Sequence, residues 1–305
     1  MAFGKGQQSK EGGDIKRYTG VASVFVKSIN PTKEELEKFF EREMDNTPEY
    51  VSTVDMQGEN VQQVRIDFLV EANPEKYTDR AGNPVNLKTR LSFFLRKIYR
   101  TSREGKVQVI DKYGRTAWAT SEEVRNKQIP MYSNGKPANL DADYRPAYSG
   151  EEDLVKFLIA YLGIPNCQTY NKDTKEWHML PADKLPDCEA RLTEVEKYFT
   201  GDISEIKEII GYQPNNQVKV LFGVRTAEDG RQYQTFYNRM FLKDSVTKNN
   251  SDGYLKLAQD VEDTKSRGAM GSTEFIIDDL QEYVIVPTNF NTMDNSEDVT
   301  PWGNN

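Results

Sequence analysis

Between Lys88 and Arg100 the chain interleaves cations with aromatic residues at a spacing that suits a nucleic-acid backbone. Read as a strand, Arg90, Ser92, Phe94, Arg96, Ile98 and Arg100 share one face, and Leu91, Phe93, Leu95, Lys97 and Tyr99 the other. Same-face residues recur every ~6–7 Å, a length similar to the repeat of an extended nucleotide strand. Cationic heads at that spacing neutralise phosphates, and rings between them stack on bases at about 1–3 kcal/mol each. The expected phosphate ligands are Arg90, Arg96, Lys97, Arg100, Lys112 and Arg115. The expected stacking residues are Phe94, Tyr99, Tyr113 and Trp118. The stretch that follows adds Tyr132, Lys136, Tyr144, Arg145 and Tyr148, of which Tyr132, Tyr144 and Arg145 join the candidate site. One such strand alone would also fit an ordinary half-buried sheet. Three consecutive elements of the same composition favour a binding surface. Tyr233 and Tyr237 are secondary candidates, since an aromatic sheet core explains them better.

The charge distribution agrees. Residues 80–127 carry twelve Lys or Arg against four acids in a chain whose net charge is −8. The acidic remainder does not exclude a polyanion, because charge is screened within roughly 8–10 Å and a basic strip acts locally. The last 28 residues hold six acids and no Lys or Arg. Asp294, Glu297, Asp298 and Trp302 mark this end as an acidic, aromatic-tipped tail, expected to compete for the basic strip and to recruit partners.

Catalytic chemistry finds little support, and the expectation is a non-enzyme without cofactor or metal. The single histidine, His178, lies in a polar stretch, and Cys167 and Cys188 lack the spacing of a zinc site. Gly135-Lys136 has neither the upstream glycine nor the hydroxyl of a phosphate loop. Asp141 and Asp143, two apart beside Lys136 and Arg145, fit a turn better than a magnesium site. Two cysteines and no run of about eighteen apolar residues point to a reducing cytoplasm and no membrane span.

The elements that would position these residues are mostly strands. Alternation predicts strands at 18–27, 61–71 and 88–100, with Val64, Ile66, Phe68 and Val70 buried and Arg65, Asp67 and Leu69 opposite. Hairpins are expected at 106–119 and 217–242. Capping boxes at Thr32/Glu35 and Thr120/Glu123 open helices, the first burying Leu36, Phe39 and Phe40. Ser149 and Glu152 are expected to cap a helix burying Leu154, Phe157, Leu158, Tyr161 and Leu162. Residues 130–150 and 166–187 read as loops, 192–199 and 203–210 as helical, 249–268 as polar and mobile, and 275–287 as a last strand. The fold class is therefore α+β and strand-rich, an OB-fold-like antiparallel Greek-key barrel with inserted helices and hairpins. Its divisions are a flexible arm at 1–14, a single-stranded DNA-binding core at 15–287 with helical insertions around 150–211, and a disordered acidic tail at 288–305.

The stretches RYTGVASVFVKSINPTKEELEKFF, QVRIDFLVEANP, LSFFLRK, VQVIDKYGRTAWAT and DYRPAYSGEEDLVKFLIAYLGIPN resemble a family of single-stranded DNA-binding proteins of crAss-like bacteriophages. The resemblance spans roughly residues 15–165 and carries no catalytic or ligand residue with it. It implies a sequence-indifferent protein that coats single-stranded DNA during phage replication, recombination or repair in the cytoplasm of an infected bacterium. The expected partners are single-stranded DNA, replication proteins such as a polymerase or helicase met through the tail, and further copies of the chain. The tail is similar in type to those of other single-strand binders, except that Gly303, Asn304 and Asn305 follow Trp302. The alternatives are a virion structural or assembly protein and a strand-annealing recombination protein.

Overall fold

Runs of β-branched and aromatic residues dominate the chain's ordered elements, and they pair into one large curled sheet with helices against it. The structure, a computed structural model, describes residues 16–56, 58–190, 195–200, 203–249 and 252–283. The expected arm at 1–14 and tail at 288–305 lie outside the described residues.

Strand β1 (Arg17–Ile29) leads through α1 (Lys33–Phe40) to β2 (Val51–Met56), β3 (Glu59–Ala72) and β4 (Lys88–Tyr99). Next come β5 (Val107–Asp111), β6 (Thr116–Ala119), α2 (Ser121–Asn126), β7 (Tyr144–Pro146), β8 (Tyr148–Ser149) and α3 (Glu151–Tyr161). A hairpin of β9 (Gln168–Asn171) and β10 (Glu176–Met179) and a 3₁₀ segment at Val195–Thr200 precede α4 (Ile203–Ile210). The described chain finishes with β11 (Gln217–Thr226), β12 (Gln232–Phe236), β13 (Leu242–Lys243), α5 (Gly253–Ser266), β14 (Thr273–Phe275) and β15 (Gln281–Tyr283).

The main sheet runs β12-β11-β1-β3-β4-β8 through antiparallel ladders. Strands β1, β3 and β4 form a meander and β11 returns beside β1, the four-strand order of a Greek key. The result is a strand-rich α+β fold whose antiparallel sheet curls into a half-barrel.

The inner face follows the alternation in the sequence. Val64, Ile66, Phe68 and Val70 of β3 are fully buried with Leu91 and Leu95 of β4 and Val218, Val220 and Phe222 of β11. Helix α3 lies over them. Its Phe157 ring sits 4.6 Å from Phe68 and 5.2 Å from Phe93, centroid to centroid.

The other face is less open than alternation predicts. Asp67 and Leu69 are buried, because the segments at Asn30 and Tyr50 run against β3. Asn30 donates its backbone N–H to the Asp67 carbonyl and accepts the Asp67 N–H on its side chain, both at 2.8 Å. Helix α1 has the expected capping box, but only Leu36 is buried. Phe39 and Phe40 stay half-buried, edge to face with each other at 4.9 Å, with Lys88 over one ring and Arg42 over the other.

Residues 249–268 correct the expectation of a mobile loop. They include α5, which packs Leu257 and Val261 against Val21 and Leu221 on the outer side of the sheet. The apolar stripe is too short to stand out in a polar sequence. Residues 130–150 and 166–187 likewise contain strands: β7 and β8 in the first, and β9 and β10 in the second. The 275–287 strand is split between β14 and β15.

The cap of α3 also differs. The N-cap is Gly150, not Ser149, and it stands at φ 88°. A Cβ there would lie 1.9 Å from the Phe94 carbonyl oxygen of β4, so no side chain fits. Gly150→Ala is expected to cost at least about 2 kcal/mol, combining left-handed strain with a backbone clash. Urea unfolding would read this, and an unshifted midpoint would rule out so close a crossing of α3 and β4.

Candidate nucleic-acid interface

Strand β4 presents Arg90 and Phe94 outward, with Leu91, Phe93 and Leu95 facing the core. Its ladder with β3 sets Arg65 opposite Phe94 and Gln63 opposite Arg96. Arg96 donates from Nε to Gln63 Oε1 at 3.0 Å, so the guanidinium is held across the ladder. Arg65 and Arg90 flank the fully buried Asp67 carboxylate, with nitrogens 3.2 and 3.4 Å from its Oδ2. One carboxylate thus anchors two guanidiniums, and the group keeps a net positive charge.

The pairing register shifts between Arg96 and Tyr99, an irregularity that alternation does not anticipate. Lys97 and Tyr99, assigned by strict alternation to the core face, are both exposed at the end of the strand. Lys97 lies 5.8 Å over the Phe199 ring, and Tyr99 stacks on Tyr148 at 5.2 Å. Phe94 is 41% and Tyr99 48% exposed, enough to leave ring surface open to a base.

Arg100 turns to a different set of partners. It meets Glu152 at 2.8 Å and lies 5.7 Å from the half-exposed Trp118 ring. Burial pushes the Glu152 carboxyl up, but Lys156, Gln108 and Arg100 outweigh it and hold the group at about 2. Arg100 therefore spends much of its charge inside the protein.

The remaining sequence candidates fall into other places. Arg115 is bound to the buried Asp111 at 2.7 Å, and Arg145 to the fully buried Glu151. Tyr113 and Tyr144 are buried and offer no ring face to a base, which corrects the expectation that Tyr113 stacks and that Tyr144 belongs to the site. Tyr144 supports α2 instead, its hydroxyl within 2.9 Å of the carbonyls of Glu123 and Gln128. Lys112 sits over the Tyr113 ring at 5.3 Å, its pKa raised chiefly by Asp141. Tyr132 is exposed at the tip of the turn bridged by Met131 and Pro137. Tyr237 is buried and bonded to Asp260 and Thr264, so only Tyr233 of the secondary pair is open.

Arg65 and Gln63 on the surface, and the buried Tyr148 and Phe199 beneath it, also contribute, and none of them is among the site residues expected from sequence. Arg65 was the one within reach, since it sits on the outward positions of an alternating strand. The others depend on partners distant in the chain. His178 stands on the exposed hairpin β9–β10 near Thr174, while Cys167 and Cys188 are buried. Asp141 accepts the Asp143 backbone N–H at 2.9 Å in a turn. No helix among the described residues is long and apolar enough to cross a membrane. The chain matches no protein-family model, no curated protein and no solved structure.

Proposed function

We propose that the protein binds single-stranded DNA without catalysing a reaction, and that the strand lies along the outer face of β4. One observation carries this: Arg65, Arg90, Phe94 and Arg96 share the outer face of β3 and β4, and exposed Lys97 and Tyr99 add a further cation and an open ring at the end of the strand. From Arg90 to Tyr99 the strand runs about 30 Å, room for roughly four or five extended nucleotides. Arg90 and Arg65 are preorganised on Asp67, and Arg96 on Gln63, so little side-chain freedom is lost on binding.

In this reading the sheet is an OB-type barrel left partly open. A three-strand meander, a helix and two further strands, the first of them added beside β1, is the element order such barrels use. The ring pair Phe93–Phe236, 5.9 Å apart, reaches across the open side between β4 and β12. The biological setting is phage replication, recombination or repair in infected bacterial cytoplasm, with the tail competing for the β4 face and meeting replication proteins. The sequence resemblance and the tail's charge support that setting.

The test is fluorescence anisotropy with single- and double-stranded oligonucleotides over a salt series. Single strands should bind more tightly, with affinity falling by a log–log slope of about 0.7 for each phosphate contacted. Arg96→Ala with Lys97→Ala should flatten that slope by roughly 1.4. An unchanged slope would remove β4 from the phosphate path.

A further inference from the structure

Strand β4 ends at a cleft of about 360 Å³ whose lining includes Tyr99, Arg145, Pro146, Tyr148, Glu196 and Lys197. Its walls are unlike the outer face of β4. Tyr99 and Tyr148 stack with rings 29° from parallel, which leaves Tyr99 one face toward solvent. The Tyr148 hydroxyl donates to Glu196 Oε1 at 3.0 Å. Burial, Glu196 and the neighbouring Tyr99 hydroxyl push the Tyr148 phenol up to about 12, so it stays a donor. The two hydroxyls and the carboxylate are therefore gathered at one edge of a stacking platform. Gln62 fixes the segment that carries Glu196, donating to the Phe199 carbonyl at 3.0 Å.

A carboxylate at that edge is out of place on a surface that only neutralises phosphate. It repels the backbone, yet it accepts hydrogen bonds from a base. We propose that this cleft is a guanine-selective base subsite, in which a base stacks on Tyr99 and Glu196 accepts from its Watson–Crick edge. Only guanine presents two adjacent donors there, the ring N1–H and the exocyclic amine. Adenine and cytosine set an acceptor nitrogen beside their amine, and thymine flanks its single N–H with two carbonyls. Each of these places a lone pair against the carboxylate, an unpaired polar contact that selects against the base. The assignment rests on the single-strand reading above and adds to it one position with a base preference.

The experiment measures binding of two fluorescein-labelled octamers, oligo(dT) and oligo(dT) with one central dG, to the full chain and to Glu196→Gln. Glu196 is exposed, so the substitution leaves the core intact. The dG octamer should bind the unaltered protein about tenfold more tightly, as a good two-bond base contact does. The ratio between octamers should fall to within about twofold in Glu196→Gln, even though loss of a negative charge tightens both. The ratio isolates base recognition from charge. Equal binding of both octamers by the unaltered protein overturns the subsite and leaves single-strand binding standing. A preference that survives Glu196→Gln overturns the role of Glu196. Failure to bind either octamer overturns the single-strand reading and the subsite together.

Discussion

Arg145→Met is expected to destabilise the protein by about 3 kcal/mol while leaving the salt dependence of DNA binding unchanged. The Glu151 carboxylate is fully buried at the start of α3, where Arg145 grips it from both terminal nitrogens at 3.1 and 2.5 Å. Tyr148 adds its backbone N–H at 2.9 Å. Removing one member of a buried pair strands the other charge out of water, which costs about 3–5 kcal/mol, against 0–1 for an exposed pair. Arg145 is itself partly exposed, which places the expected loss at the lower end. Pairing the change with Glu151→Gln should restore part of the stability by removing the stranded charge. Urea unfolding of the single and double variants measures both. A loss below 1 kcal/mol in Arg145→Met would return the residue to the candidate nucleic-acid site.

Phe94→Ala combined with Tyr99→Ala should lower single-stranded DNA affinity by at least thirtyfold, roughly 2 kcal/mol or more, because two stacking platforms at about 1–3 kcal/mol each are lost. Both rings are largely open, so the thermal midpoint should move little. That combination separates a binding role from a packing role. If affinity held within threefold, or if the protein unfolded, the rings would be structural and β4 would lose its stacking function.

These two residue sets show what local sequence could convey. The alternation of β3 and β4 identified the core face correctly, because a period of two needs no knowledge of the rest of the chain. The same composition signal gathered Arg90 and Arg145 into one group. It could not separate them, since their difference lies in partners: Arg90 shares a carboxylate on an open face, and Arg145 serves a buried one. Tyr113 and Tyr144 were misplaced for a related reason. Beside cations they resemble stacking residues, but Lys112, Arg115 and Lys127 lie over rings already packed inside. The exposure of Lys97 and Tyr99 at the end of β4 leaves no mark in residue type. Gly150 was visible only as a loop glycine until the Phe94 carbonyl was found against it. Helix α5 was missed because Leu257 and Val261 are the only large apolar side chains it buries.

The position of β1 in the sheet has a consequence for how the protein is made. Gly20 pairs with Phe222, some two hundred residues later, while β3 covers the strand's other side. A nascent chain therefore holds an unpaired hydrogen-bonding edge on β1 until β11 has left the ribosome. Such long-range closure is slow, and an open edge invites pairing with the wrong chain. Synthesis must run past β11 before the half-barrel can set, so a translation product that stops short of that strand would be a target for chaperones or proteases.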